Sequence, residues 1–368
     1  MTRFEYSDDY ISDKEILIAV PSIMIGVGIL SVPKDLAEQT IGSDGWLPLA
    51  AGGVIVIAMT WLVARLAAKF PQQSFLAYSS KITSRPAGIA FTVLLSIQGI
   101  MLTAYETRII ANVADQYLFD RTPVEVVALA FLLVVVYAVS GSRTGLFRLN
   151  MMFLPIILAI SLIVMVFTTG WFEPGNLLPV MRTDAAGFWN AMNQSTFSYI
   201  GFGILLFYTA LVKNPKNVPW KASAGASIAV FLYILFYLIC IGVFGNLVTA
   251  NLQYPTVELA KEVKIPGGFF ERFESLFFVI WIMAIFNTTT MAMDAAVFAL
   301  NSIFKKDRKM PIIFLLAPLA YLMGMIPEDI NEVSAFGTFT SYYGAAITVS
   351  ITILLYMIAK LRGVKAND

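Results

Sequence analysis

The chain is a succession of apolar runs about 20 residues long, the length an α-helix needs to cross a bilayer. It is 58% hydrophobic and 13% charged, where a soluble domain carries about 25% charged residues. It therefore reads as an all-α polytopic membrane protein. Ten spans are predicted, at 14–40, 46–68, 86–117, 123–140, 148–169, 187–212, 218–245, 270–304, 310–326 and 331–360. If they alternate in direction, 18 of the 25 Lys and Arg residues fall on one side, the clusters being Arg65 to Arg85, Arg143 and Arg148, Lys213 to Lys221, Lys305 to Lys309 and the two termini. Six lie on the other (Lys34, Arg121, Arg182, Lys261, Lys264 and Arg272), and Arg108 stays inside the third span. Basic residues concentrate in cytoplasmic loops, so both termini are expected in the cytoplasm.

Other classes are excluded by what is missing. No basic cluster is interleaved with aromatics, which argues against nucleic acid. The single cysteine, Cys240, lies in an apolar span and permits no intrachain disulfide, and histidine is absent. There is no Walker A loop, Cys/His cluster or nucleophile–base pair, so neither an enzyme nor a bound cofactor or metal is expected. The acidic N-terminus (Glu5, Asp8, Asp9, Asp13) lacks the basic region of a cleaved signal peptide, so the first span is expected to act as its own insertion signal.

Ile25-Gly26-Val27-Gly28-Ile29-Leu30 lies within span 1, and Ile200-Gly201-Phe202-Gly203-Ile204-Leu205 repeats it in span 6. A glycine inside a helix costs about 1 kcal/mol relative to alanine, and Pro33 follows the first pair without a backbone donor. The copies sit about half a chain apart, in spans of opposite direction. That is the signature of a five-plus-five inverted repeat whose paired broken helices form a site. The expected division is a tail at 1–13, a first repeat at 14–169, an outer loop at 170–186, a second repeat at 187–360 and a tail at 361–368. A helix break leaves N–H groups at one end and carbonyls at the other. A ligand carboxylate suits the N–H groups near Gly26, Gly28, Gly201 and Gly203, and an ammonium suits the carbonyls near Ile23, Ser198 and Tyr199. The other reading is that the glycines merely permit close helix packing.

Charges inside a membrane are functional candidates by default. Glu106 and Arg108 in span 3 are two residues apart, so they face different directions on a helix and need separate partners. Lys34 is a partner for Glu106, and Glu271 or Glu274 for Arg108, in an outer network clamping spans 1, 3 and 8, a reading favoured over direct contact of these charges with a ligand. Span 8 carries Asn287-Thr288-Thr289-Thr290 and Asp294, of which Asn287 and Thr288 are placed at the cavity. Some of these hydroxyls are expected to bond back to helix carbonyls instead. Gln98, Thr103, Phe202, Phe207 and Tyr208 are further pocket candidates. The segment Thr256 to Lys261 reads as a short helix, either an outer lid or a solvated loop.

These residues resemble the endospore germination permeases, the B subunits of spore nutrient receptors, within the amino acid–polyamine–organocation transporter superfamily. The resemblance runs end to end. It is carried by Glu106-Thr107-Arg108, Asp120-Arg121-Thr122-Pro123 and Glu271-Arg272-Phe273-Glu274-Ser275, with Gly26, Gly28, Pro33 and Asp44-Gly45-Trp46 in support. It implies the inverted-repeat transporter fold and a place in the inner membrane of the spore. It also implies an A subunit and a lipoprotein C subunit as partners, and a small-molecule nutrient, typically an amino acid, as ligand. Family ligand positions map onto the span 1 break, Gln98 and Leu102, the span 6 break, and Asn287 and Thr288. Some relatives have tyrosine in place of Gln98 and threonine in place of Asn287. Several proton-coupled members of the superfamily carry a lysine in span 5, whereas residues 149–169 here hold no Lys, Arg, Asp or Glu. A sodium site of span 1 carbonyls and Thr288 stays open as an alternative. The uncharged fifth span points to a ligand-gated sensor rather than an ion-coupled amino-acid transporter.

Overall fold

The computed structural model describes residues 10–26, 28–119, 121–263, 273–304 and 309–363. Among the described residues six helices are long and apolar enough to cross a membrane, and α1 (Asp13–Met24) and α2 (Gly28–Ala37) make a seventh span bent by 52°. The six are α3 (Trp46–Ala68), α5 (Arg85–Tyr117), α7 (Arg143–Phe167), α10 (Val218–Phe244), α13 (Phe273–Phe304) and α15 (Ile330–Leu361). Shorter apolar helices complete the predicted set: α6 (Val124–Ser140), α14 (Met310–Met325), and a second broken span of α8 (Ala185–Ser198) with a 3-10 turn leading into α9 (Leu205–Tyr208). The expected all-α polytopic architecture, broken at spans 1 and 6, is the one observed.

Two helices were not predicted. α4 (Phe75–Ile82) lies in the connection between spans 2 and 3, and α11 (Asn246–Asn251) precedes the foreseen short helix α12 (Pro255–Lys261). Each is eight residues or fewer, too short for a periodic apolar pattern to stand out.

Local signals set the helix starts. Ser12 and Glu15 form a reciprocal capping box on α1, Ser74 and Ser142 cap α4 and α7, and Asp329 caps α15. α5 and α13 are the central pair, packed along each other, with α1 against α10 and α3 against α10 on one side. Of its most apolar stretch, α13 buries 78% but α7 and α15 only 33%. The latter two therefore present their apolar residues to lipid. Tight approach is bought with glycine: a β-carbon at Gly225 of α10 would lie 2.5 Å from the Leu17 carbonyl, which Pro21 of α1 cannot bond.

The ends of the broken spans are tied down. On the basic face, Ile11 N–H donates to the Leu211 carbonyl at 2.9 Å, pinning the chain ahead of α1 to the end of span 6. On the far face, the Asp44 carboxylate accepts from the backbone N–H groups of Met181, Arg182 and Thr183, which moors the 170–186 loop. The Asn246 amide donates to the carbonyls of Ala37, Thr40 and Gly42 just past α2. Pro33 has no N–H for the Ile29 carbonyl one turn before it. The Thr256 hydroxyl of α12 fills that gap at 2.9 Å. Of the two readings open for this segment, the solvated loop is not the one observed: α12 buries Pro255, Thr256, Val257, Leu259 and Ala260 and is fastened to α2.

Candidate ligand site between the helix breaks

The break in span 1 strands the carbonyls of Ser22, Ile23 and Met24, whose helical partners would be the N–H groups four residues on. Side chains of other spans meet them. The Thr288 hydroxyl of α13 lies 3.2 Å from both the Ser22 and Ile23 carbonyls, and Tyr233 of α10 donates to the Met24 carbonyl at 2.5 Å. Span 1 carbonyls and the Thr288 hydroxyl, the set named for sodium, thus bond one another directly. The expected ammonium site on the Ile23 carbonyl is already partly satisfied by protein.

The two breaks face each other. Gly201 has φ +125°, a conformation that side chains avoid, and a β-carbon there would stand 2.8 Å from Ile23 Cγ2. A β-carbon at Gly28 would stand 2.7 Å from the Tyr233 hydroxyl and 3.2 Å from Ser198 Cα. One at Gly26 would meet Thr288 Oγ1 at 2.6 Å and Glu106 Oε1 at 2.9 Å. The glycines therefore do more than ease packing: they make room for polar side chains at the break. A cavity of about 50 Å³ remains, with Glu106, Ser31, Ser198, Ser341 and Thr288 as its polar wall and Leu102, Tyr105 and Ile200 among its apolar residues. That holds a few waters rather than a large solute.

Glu106 is a correction. The sequence reading put it in an outer ion-pair network with Lys34, but the two side chains line different cavities. Lys34 donates to Gln253 Oε1 at 3.1 Å and lies 3.8 Å from Glu38, while Glu106 is 3% exposed at the span 1 break. Arg108 is buried on another face of α5, its Nη1 3.7 Å from the Met325 sulfur. Glu271 lies outside the described residues, as does the side chain of Glu274.

Other candidates divide. Gly28, Leu102, Ser198 and Thr288 share the central cavity. Gln98 lies on the basic-face side of it, accepting from Thr348 at 3.1 Å beside Gly203, and it lines two adjoining cavities of about 30 and 70 Å³. Phe202 lines the larger of these and Phe207 the smaller. Tyr199 is turned away, its hydroxyl on the Leu49 carbonyl of α3. Asn287 is 1% exposed and lines none of the three cavities. Thr103, Thr289 and Thr290 bond back to their own helices. Tyr208 is no pocket residue. It donates to the fully buried Asp294 at 2.7 Å, which also pairs with Arg143 at 3.1 Å. The pairing of Asp294 with Tyr208 and Arg143 escaped the sequence reading, as did a place at the break for Ser31, Tyr105, Tyr233 and Ser341. Of these four, Ser31 left a signal, one helical turn beyond Gly28.

A membrane protein with two facing helix breaks around a small polar cavity belongs to the class of inverted-repeat transporter folds. Solved structures agree. MhsT in complex with L-phenylalanine superposes with a TM-score of 0.73 at 14% identity, covering 97% of this chain and 90% of that one. Mhp1, a nucleobase-cation-symport-1 family transporter in a closed conformation, gives 0.69 at 17% identity, covering 98% and 81%. At such identities the likeness is one of fold. The family model described as "Spore germination protein" matches residues 10–333. Spore germination protein GerLB of Bacillus cereus is 39% identical, over 98% of this chain and 97% of that protein. YndE of Bacillus subtilis (strain 168) is 28% identical over 96% and 97%. The chain belongs to the spore germination permease family. It is an integral membrane protein and not an enzyme.

Proposed function

We propose that this chain is the nutrient-sensing B subunit of a spore germinant receptor, and that it binds a small zwitterion, an amino acid, between the breaks of spans 1 and 6. The observation that carries this reading is the Glu106 carboxylate beside Gly26 at the head of α2. Glu106 meets the ligand ammonium, and the leading N–H groups of α2 meet its carboxylate. Leu102 and Ile200 receive an apolar side chain. Of the residues expected to bind ligand, Gly26, Gly28, Leu102, Ser198 and Thr288 keep that role in the proposal, while Gly201 lines the adjoining cavities and holds the span 6 break against Ile23. Gln98, Gly203 and Phe202 belong to the adjoining cavities and shape the span 6 break.

Binding shifts the balance between open and closed states by the difference in affinity for the two. The repeats at 14–169 and 187–360 then move relative to each other, and the motion passes to A and C subunits in the spore inner membrane, with both termini cytoplasmic. The transporter fold itself supports the alternative, a secondary amino-acid transporter. The uncharged stretch at 149–169 favours sensing, since it offers no ionisable coupling group.

The test uses the purified full chain in nanodiscs against each of the twenty standard amino acids. At least one is expected to raise the melting temperature, and Glu106→Gln to abolish that rise. Reconstituted vesicles separate the alternatives: concentrative uptake by this chain alone would establish the transporter and displace the sensor.

A further inference from the structure

A second cavity, of about 240 Å³, lies toward the far face. It shares Ser31 and Tyr105 with the central cavity, so the two are consecutive. The Tyr105 ring forms the partition. It packs against Gly337, where a β-carbon would come within 2.5 Å of Cε2, and lies 6.3 Å from Phe336.

The lining is not that of a plain passage. Lys34, Asp35 and Glu38 follow one another on and just after α2, and all three line the cavity. The Lys34 ammonium carries three donors. It uses two directions, toward Gln253 Oε1 at 3.1 Å and Glu38 Oε1 at 3.8 Å. Gln194 of α8, also on the lining, has a buried amide oxygen that accepts no hydrogen bond among the described residues. An unsatisfied buried acceptor costs about 1–3 kcal/mol, and an ammonium would satisfy it. Cation, carboxylates and free acceptor are thus collected in one cavity several times the volume of the central one.

We infer that this vestibule is a second binding site, for a small zwitterionic molecule of the amino-acid class. Lys34 takes the carboxylate, and Asp35 and Gln194 take the ammonium. The inference shares its ligand class with the reading above, but the site is separate and can be tested separately.

Cys240 is buried, so Asn331→Cys, at an exposed lining position, supplies one accessible thiol in the full chain. Its modification by a charged methanethiosulfonate reagent is followed in nanodiscs with each of the twenty standard amino acids. At least one is expected to slow modification by an order of magnitude. Protection is expected to persist in Glu106→Gln and to vanish in Lys34→Gln and Asp35→Asn, with melting temperatures of the unliganded variants unchanged. Protection lost in Glu106→Gln together with the ligand-induced melting shift would mean that central binding alone closes the vestibule, and would overturn the inference. Indifference to Lys34→Gln and Asp35→Asn, or no protection by any amino acid, would overturn it as well. Protection that depends on Asp35, beside a melting shift that Glu106→Gln leaves intact, would uphold the vestibule and remove the central reading.

Discussion

Gly201 sits at φ +125° with Ile23 against its missing side chain, so alanine there meets backbone strain and a collision together. Backbone strain of this kind costs about 1–3 kcal/mol. Gly201→Ala is therefore expected to lower the melting temperature clearly. Gly175→Ala, where nothing lies within 4 Å, is expected to leave it unchanged, and equal effects would contradict the facing-breaks geometry. Thr288→Val keeps the shape but removes the donor to the Ser22 and Ile23 carbonyls. Its expected cost is about 1–3 kcal/mol for the stranded acceptors, read as a fall in the denaturation midpoint. At this scale the glycines were legible, because a doubled glycine in a membrane helix has few explanations. The aim of Glu106, Tyr199 and Phe202 was not. Neighbouring residues on a helix point some 100° apart, and nothing local fixes how α5 or the span 6 break is rotated about its axis.

Among elements, the buried Asp294 joins α13 to α7 through Arg143 and to α9 through Tyr208. Removing one member of a buried pair costs about 3–5 kcal/mol, while exchanging both for apolar residues is often neutral. Asp294→Ala is thus expected to destabilise the protein severely in thermal melts, and Asp294→Leu with Arg143→Met to recover most of the loss. The pair is 151 positions apart in the chain, which is why no sequence spacing announced it. The Asp44 mooring can be tested by pH. Burial raises its carboxyl, but the three backbone donors and the Thr183 hydroxyl outweigh that and hold it below the ordinary carboxylate value. A depressed folded-state value means stabilisation that is full above the unfolded value and lost as pH falls through the folded one. The stability difference between wild type and Asp44→Asn is accordingly expected to be constant near neutrality and to shrink in acid below the ordinary aspartate range. A difference that persists through that range would show the carboxylate charge to be irrelevant. Asp44-Gly45-Trp46 stood out as a motif, whereas its partner loop did not, since backbone N–H groups carry no sequence signature.

For the whole molecule, apolar run length and the placement of Lys and Arg made the spans readable, because hydrocarbon tolerates so few backbone solutions. The short helices α4 and α11 lie outside that constraint. Orientation is checked by single cysteines. In sealed cells, Lys14→Cys and Lys360→Cys are expected to resist an impermeant thiol reagent and Arg182→Cys to react. Reaction of either terminal cysteine from outside would reverse the assigned topology.

The bond between Thr256 and the Ile29 carbonyl exists because Pro33 leaves that carbonyl open. Replacing Pro33 with alanine would return an N–H to the helix and set it in competition with the hydroxyl, so repairing one helix loosens the other. Proline and threonine, more than 200 positions apart in the chain, are one trait: a lineage that drops the first no longer gains from keeping the second.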